Sequence, residues 1–116
     1  MPTMNIIQAV NDALKLEMRR DKRIVVLGED VGKIGGIFAA TRGLLEQFGR
    51  ARVRDTPISE QAIALAAVGA AICGQRPVVE VQIFDFVTLM MDAVVNQAAK
   101  FRFMLGGLPT VPMVVR

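Results

Sequence analysis

The sequence predicts an α/β fold in which a parallel sheet is flanked by helices on both faces. Segments with helical spacing alternate with strand-like segments, as they do around parallel sheets. The strand-like segments are short continuous apolar runs, such as residues 24–27, which are typical of strands buried on both faces. Glycines stand between the segments and indicate turns. The 116 residues are 53% apolar and 22% charged, which fits one globular domain over residues 1–116.

Each element is predicted from its own pattern of apolar residues, caps and breakers. Thr3 is a candidate N-cap for the first helix, and Ser59 for the apolar helix that begins at Glu60. Gly49, Gly74 and the pair Gly106-Gly107 are candidate helix ends. The predicted elements, in order, are a helix to Arg20, a strand at 24–27, a loop at 28–36, a helix at 40–48, an extended segment at 53–57, a helix at 60–72, a strand at 77–81, an amphipathic helix at 85–104 and a strand at 111–115.

Composition excludes several classes of function. The net charge is +3, but acidic residues lie among the basic ones and there is no Trp or Tyr, so a nucleic-acid surface is not expected. No histidine occurs, which removes Ser-His and Cys-His catalytic pairs and the usual zinc sites. The single cysteine, Cys73, lies among small apolar residues and is expected to be a buried, inert thiol. The mean hydropathy of +0.42 is high, so apolar surface is expected to be covered by a partner.

The ends and apolar runs of the sequence bear on its location. Residues 1–12 have neither the basic head nor the long apolar stretch of a signal peptide. The longest uncharged apolar run, residues 62–74, is too short to span a bilayer. The expected location is therefore the cytoplasm, or an organelle matrix after processing.

Glu60 is the first candidate functional residue. It occupies the first turn of a predicted helix whose following residues are apolar on every face, so the helix is expected to be fully buried. A carboxyl group at the head of such a helix is a candidate for proton exchange. The alternative is an ordinary carboxylate that is stabilised by the helix dipole.

Other candidates follow predicted strands, where ligands of parallel sheets usually bind. Glu29 and Asp30 follow the first strand in a loop that matches neither GxGxxG nor a P-loop, and an ordinary polar turn remains possible there. Phe86 follows the strand at 77–81 and could lie under a ring-shaped ligand. Core packing is the alternative for the whole set of late apolar side chains: Phe84, Phe86, Met90, Met91, Phe101, Phe103 and Met104.

An ordered set of motifs resembles the β subunits of thiamine diphosphate-dependent 2-oxo acid dehydrogenase first components. The segment Asp55-Thr56-Pro57-Ile58-Ser59-Glu60 is similar to a motif of that family, and Gly28-Glu29-Asp30-Val31 is similar to its Gly-Glu-Asp/Glu-Val loop. Further matches follow at similar spacings: residues 41–44, 67–71, 76–80, 96–104 and 106–107. Members acting on pyruvate, branched-chain 2-oxo acids or acetoin fit, with a preference for the pyruvate and acetoin types. Transketolase is more distantly similar.

The resemblance implies roles for particular residues. It implies a transketolase-like pyrimidine-binding domain in which Glu60 hydrogen-bonds the ring nitrogen N1′ of thiamine diphosphate and activates it. Glu29 would join a proton relay, Phe86 would lie against the pyrimidine ring and Gln82 would contact the cofactor. The backbone carbonyl of Met113 would help to hold a potassium ion.

The resemblance also implies partners. An α subunit would supply the diphosphate and magnesium site through a Gly-Asp-Gly…Asn motif that this sequence lacks. A second β chain and a lipoyl acyltransferase core would complete the complex, and the acyl group of a small 2-oxo acid would pass to the lipoyl carrier. Family members continue into a histidine-containing loop and a C-terminal domain, so the domain is expected to be truncated and inactive alone. Two other interpretations remain open: a non-catalytic α/β interaction module and an unrelated nucleotide-binding domain.

Overall fold

The computed structural model of the chain describes residues 3–116. The helices and strands are α1 (Ile6–Arg20), β1 (Ile24–Gly28), α2 (Leu44–Phe48), β2 (Val53–Asp55), α3 (Glu60–Ile72), β3 (Arg76–Glu80), a 3-10 helix (Phe84–Met90), a π-helix (Asp92–Ala98), α4 (Phe101–Met104) and β4 (Val114–Val115). The four strands form one parallel sheet in the order β2-β1-β3-β4. The predicted fold class is confirmed.

The central strand β1 is buried along its whole length, and successive side chains contribute to two different cores. Ile24 and Val26 belong to a core with Leu14 and Met18 of α1. Leu27 belongs to the other core, which α3 and the 3-10 and π-helices complete on the opposite face of the sheet. Because side chains alternate across a strand, one continuous apolar run supplies both cores, as predicted.

The start of α1 differs from the prediction. Its N-cap is Asn5, not Thr3. The side chain of Asn5 accepts a hydrogen bond from the N–H of Gln8 at 2.8 Å, and the side chain of Gln8 accepts one from the N–H of Asn5 at 3.0 Å. This reciprocal capping box satisfies two N–H groups at once, whereas a cap at Thr3 would require the helix to begin earlier.

The second predicted helix is shorter than expected. It begins at Leu44 rather than at residue 40, because Gly43 has a left-handed φ of 79°. It ends at Gly49, as predicted. Ala40 and Thr41 are nevertheless buried, so the residues before the helix contribute to the core from a turn.

Helix α3 is buried on one face rather than all round. Ile63, Ala64, Ala67, Val68 and Ala71 are buried, whereas the opposite face is exposed. The prediction of a fully buried helix was wrong because apolar composition does not show how many neighbours a helix has. Cys73, at the C-terminal end of α3, is exposed, so the predicted buried thiol was wrong too.

The helix predicted at residues 85–104 is divided into three pieces. The N–H of Ala99 bonds the carbonyl of Val94 at 3.0 Å, which is the wider turn of a π-helix. Met90 and Ala93 remain buried against α3, and Val94 packs beside them, so the apolar face is kept while the turn changes. The last strand is confined to Val114–Val115.

The alternative interpretation, that the late apolar side chains pack in the core, is wrong for most of them. Of that set, Met90 is buried and Phe101 half-buried, whereas the other side chains are exposed. Phe103 is 91% exposed, and Leu108, beyond the turn at Gly106-Gly107, is 90% exposed. No helix of the described chain is both long and apolar enough to cross a membrane.

Candidate functional site

The carboxyl ends of three strands lie level with one another. Gly28, the last residue of β1, pairs with Asp55 of β2 on one side and with Glu80 of β3 on the other. Residues that follow these strands therefore meet at one edge of the sheet. We call this the carboxyl edge, and it carries Glu29 after β1 and Gln82 after β3.

Glu60 reaches the carboxyl edge from the first turn of α3, and its side chain is half-exposed. Ser59 is the N-cap by position, as predicted, but its side chain makes no capping hydrogen bond. The carboxylate of Glu60 therefore lies at the positive end of the α3 dipole, where a negative charge is favoured.

Glu29 lies close enough to Glu60 for the two carboxyl groups to interact. Partial burial raises the pKa of Glu29, and the negative charges of Glu60 and Asp30 raise it further. Glu29 and Glu60, which are 31 positions apart in the sequence, are thus near enough for the charge of Glu60 to act on Glu29, and we call them the carboxyl pair. A proton is retained by Glu29 to a higher pH than by an ordinary glutamate, which suits a group that passes a proton.

The loop after β1 is folded closely onto the sheet. Gly28 has no room for a side chain, because a Cβ atom there would lie 2.8 Å from Cγ1 of Val31 and 2.9 Å from the carbonyl oxygen of Glu80. The N–H of Gly32 donates to Oδ1 of Asp55 at 2.6 Å. Asp55 at the end of β2 therefore anchors the loop from the edge strand.

Gln82 holds a second part of the same loop. Its Nε2 donates to the carbonyl of Glu29, and its Oε1 accepts from the N–H of Ile37 at 2.9 Å. The structure thus brings Gln82 against the backbone of Glu29. This bond could not be found from sequence, because a hydrogen bond between residues 53 positions apart leaves no local pattern.

Glu80 is a buried carboxyl group at the carboxyl edge that the sequence did not single out. Its side chain is 5% exposed and forms an ion pair with Arg116, which follows β4. Burial raises the pKa of Glu80, and the charge of Arg116 and its hydrogen bond oppose that rise. The available signal was a charged residue next to the last position of the predicted strand at 77–81, where it shares the carboxyl edge with Glu29.

Phe86 lies in the 3-10 helix that follows β3, and its ring is 45% exposed. This helix packs against α3, whose first residue is Glu60. An exposed aromatic ring in this position is open to a planar ligand, whereas the core role is excluded by its exposure.

Met113 is separated from these residues. It precedes the Val78–Val114 pair, so its backbone lies at the level of Pro77. Pro77 pairs with Val25, three residues before Gly28, which places Met113 about 10 Å from the carboxyl edge along the strands. Within residues 3–116 there is also no group of three His, Cys, Asp or Glu residues that could hold a metal ion.

The chain is similar to a known domain family and to known proteins. Residues 2–116 match the family described as transketolase, pyrimidine binding domain. The chain is 49% identical over its 116 residues to the 2-oxoisovalerate dehydrogenase subunit beta of Bacillus subtilis (strain 168). It is 47% identical to the pyruvate dehydrogenase E1 component subunit beta of Staphylococcus aureus and of Staphylococcus epidermidis.

Each of these alignments covers 100% of the chain and 36% of the relative. The two kinds of relative are almost equally similar, so identity does not separate a branched-chain from a pyruvate type. The parallel sheet and the family match agree, and the expected relationship is confirmed. The chain belongs to the transketolase pyrimidine-binding domain family.

Proposed function

We propose that this chain is the pyrimidine-binding part of the β subunit of a thiamine diphosphate-dependent 2-oxo acid dehydrogenase, with Glu60 as the residue that activates the cofactor. The observation that carries the proposal is the placement of Glu29, directly after β1, and of Glu60, at the start of α3, beside the aligned carboxyl ends of the strands. The similarity to β subunits named for 2-oxoisovalerate and pyruvate supports the substrate class.

The residues present fit the pyrimidine half of this cofactor. Glu60 offers a carboxyl group that can hold a proton at the ring nitrogen N1′, and its half-exposed side chain leaves room for a ligand. Phe86 offers an exposed ring to the face of the pyrimidine. Gln82 keeps one amide N–H beyond the two hydrogen bonds that it makes to the loop.

Bound thiamine diphosphate supplies the carbon nucleophile that attacks a 2-oxo carbonyl and the electron sink for decarboxylation. The residues of this chain position the cofactor and transfer protons. Glu60 holds the proton at N1′, and Glu29, whose pKa is raised by burial and by Glu60, accepts or returns a proton nearby.

The rest of the site belongs to other chains in this proposal. An α subunit with a Gly-Asp-Gly…Asn motif holds the diphosphate and magnesium, and a second β chain completes the assembly. The acyl group passes to a lipoyl carrier on an acyltransferase core. A potassium ion at the Met113 carbonyl would lie apart from the pyrimidine site and would have a structural role.

Calorimetric titration of thiamine diphosphate and magnesium tests the proposal. The cofactor and magnesium are titrated into a mixture of this chain and a candidate α partner, and a titration into the partner alone gives the baseline. We expect tighter binding with the wild-type chain than with the baseline. Glu60→Gln should lose most of that gain, because a neutral amide cannot pass a proton to N1′ and offers only a neutral hydrogen bond in place of a stronger charge-assisted one.

Glu46→Gln is the matched control, since Glu46 also lies in the first turn of a helix, α2, but that helix packs in the core on the opposite face of the sheet from α3. It should bind like the wild type. Equal binding by the wild-type and Glu60→Gln mixtures would exclude the role of Glu60. No gain over the partner alone would leave a chain that keeps the fold without a working site.

A further inference from the structure

The side chain of Gln82 spans two points of the loop that carries Glu29. One end of the span is the carbonyl of Glu29, the first residue after β1, and the other is the N–H of Ile37. Both bonds come from the terminal amide, which is the only part of a glutamine side chain that offers a donor and an acceptor together. A single side chain from just after β3 thus links the two ends of the segment from Glu29 to Ile37, which are eight positions apart in the sequence.

The loop has other anchors that do not involve Gln82. The N–H of Gly32 bonds Asp55 at 2.6 Å, and the hydroxyl of Thr41 donates to the carbonyl of Val31 at 2.7 Å. The loop beyond Glu29 should therefore stay folded when Gln82 is replaced. Among these contacts, only the hydrogen bond from Gln82 restrains the backbone of Glu29.

We propose that Gln82 is a positioning residue that orients Glu29 toward Glu60. It acts through the Glu29 carbonyl and the Ile37 N–H, in addition to any contact that it makes with a ligand. This inference rests on the proposed function, in which Glu29 and Glu60 work as a pair. Without the Gln82 amide, the Glu29 carbonyl turns to solvent and its carboxyl group moves away from Glu60.

Gln82→Met tests this role, because methionine keeps the length of the side chain and removes both hydrogen bonds. The measurement is the titration of glutamate carboxyl carbons by NMR in the ¹³C-glutamate-labelled chain. The chain has five glutamates, Glu17, Glu29, Glu46, Glu60 and Glu80, so Glu29→Gln and Glu60→Gln assign the two signals of interest.

In the wild type, the pKa of Glu29 should fall when Glu60 is replaced by Gln, because a neighbouring negative charge is removed. In Gln82→Met, the pKa of Glu29 should already be lower, and the further substitution of Glu60 should change it little. The coupling between Glu29 and Glu60 is thus the quantity that depends on Gln82. Exchange of the Ile37 amide should also become about five-fold faster, as expected for one lost hydrogen bond.

Two variants sharpen the result. Gln75→Met is the matched control: Gln75 is a half-buried glutamine after α3, and none of the side-chain hydrogen bonds of the described residues involves it. It should leave both readouts unchanged. Gln82→Glu at neutral pH can still accept from Ile37 but cannot donate to Glu29, so it should keep the Ile37 amide protected while releasing Glu29.

Unchanged coupling between Glu29 and Glu60 in Gln82→Met would overturn the inference. If Gln82 only contacts the cofactor, the variant will weaken the calorimetric titration with the α partner and leave the Glu29 titration as in the wild type. Because the NMR experiment contains no cofactor, failure of the proposed function would appear in the calorimetry alone.

Discussion

The loop after β1 comes close to the buried carboxylate of Glu80 at Gly36. This glycine has a left-handed φ of 76°, and a Cβ atom there would collide with Oε1 of Glu80. Gly36→Ala therefore adds a collision to a backbone conformation that alanine disfavours. We expect the free energy of unfolding to fall by about 2 to 4 kcal/mol, measured by urea denaturation.

Gly107→Ala separates the two causes. Gly107 has a similar φ of 84°, and nothing lies within 4 Å of the position that an alanine methyl group would take, so only the backbone cost applies. The expected loss is about 1 kcal/mol. Equal losses at the two glycines would mean that Glu80 does not crowd Gly36.

The raised pKa of Glu80 predicts a particular dependence of stability on pH. Burial raises the pKa above 4.5, the ordinary value for glutamate, so the folded state binds this proton more tightly than the unfolded state. The contribution is fully present below 4.5 and is lost as pH rises through the folded-state pKa. Glu80→Gln should therefore gain stability relative to the wild type as pH rises through that window.

Arg116→Met should have the opposite effect on the pH dependence of stability. Arg116 opposes the rise in the pKa of Glu80, so its removal should raise that pKa further, which makes the total loss of stability larger and extends it to higher pH. Urea denaturation over a pH series measures both slopes. Parallel curves for the two variants and the wild type would show that Glu80 is not the group responsible.

At the scale of the elements, α1 offers a test of how its first turn is held. Asn5→Ala removes the acceptor of the capping box and should lower the free energy of unfolding by about 1 kcal/mol. Thr3→Ala is the control, because Thr3 lies outside the cap and is exposed. Thermal or urea unfolding measures both, and a larger loss at Thr3 would restore the cap predicted from sequence.

The elements that sequence predicted well are those with a complete local signal. β1 is a continuous apolar run with a turn after it, and α3 begins at the predicted Glu60 after Ser59. Residues 85–104 carried a helical period as well, but 3-10 and π turns keep a similar apolar face with different hydrogen bonds. The period therefore predicted which side chains face α3 better than it predicted the type of helix.

Sequence predicted some features of the candidate site and not others, for the same reason. The rule that parallel strands end at one edge placed Glu29 and Gln82 together. Sequence identified Glu60 as a carboxylate at a helix start, but it did not place that helix start at the same edge. The two hydrogen bonds of Gln82 join residues that are 53 and 45 positions apart, and the Glu80–Arg116 pair joins residues 36 positions apart. Such contacts depend on the packing of the folded chain, so no local sequence pattern predicts them.

The molecule as a whole exposes apolar side chains around its last turn. Phe103 and Leu108 flank Gly106-Gly107 and are 91% and 90% exposed. We expect the isolated chain to self-associate with concentration through this surface. Phe103→Ser combined with Leu108→Ser should reduce the association measured by sedimentation velocity, with little change in the free energy of unfolding.

Ile6→Ser is the matched control, because Ile6 is also 83% exposed but lies at the start of α1. It should leave the association unchanged. An equal effect of Ile6→Ser would indicate general hydrophobic association rather than a surface at the last turn.

The strand order determines when the carboxyl edge forms during folding. The first strand, β1, is central, and it acquires its neighbours β2 and β3 only after chain crossovers have closed. Glu29, Glu60 and Gln82 therefore stay far apart until residues as distant as 28 and 80 have paired. Pairings of such long range form late and slowly. The capacity to accept a ligand at this edge should consequently arise in one cooperative step near the end of folding, with no partly folded form that already possesses it.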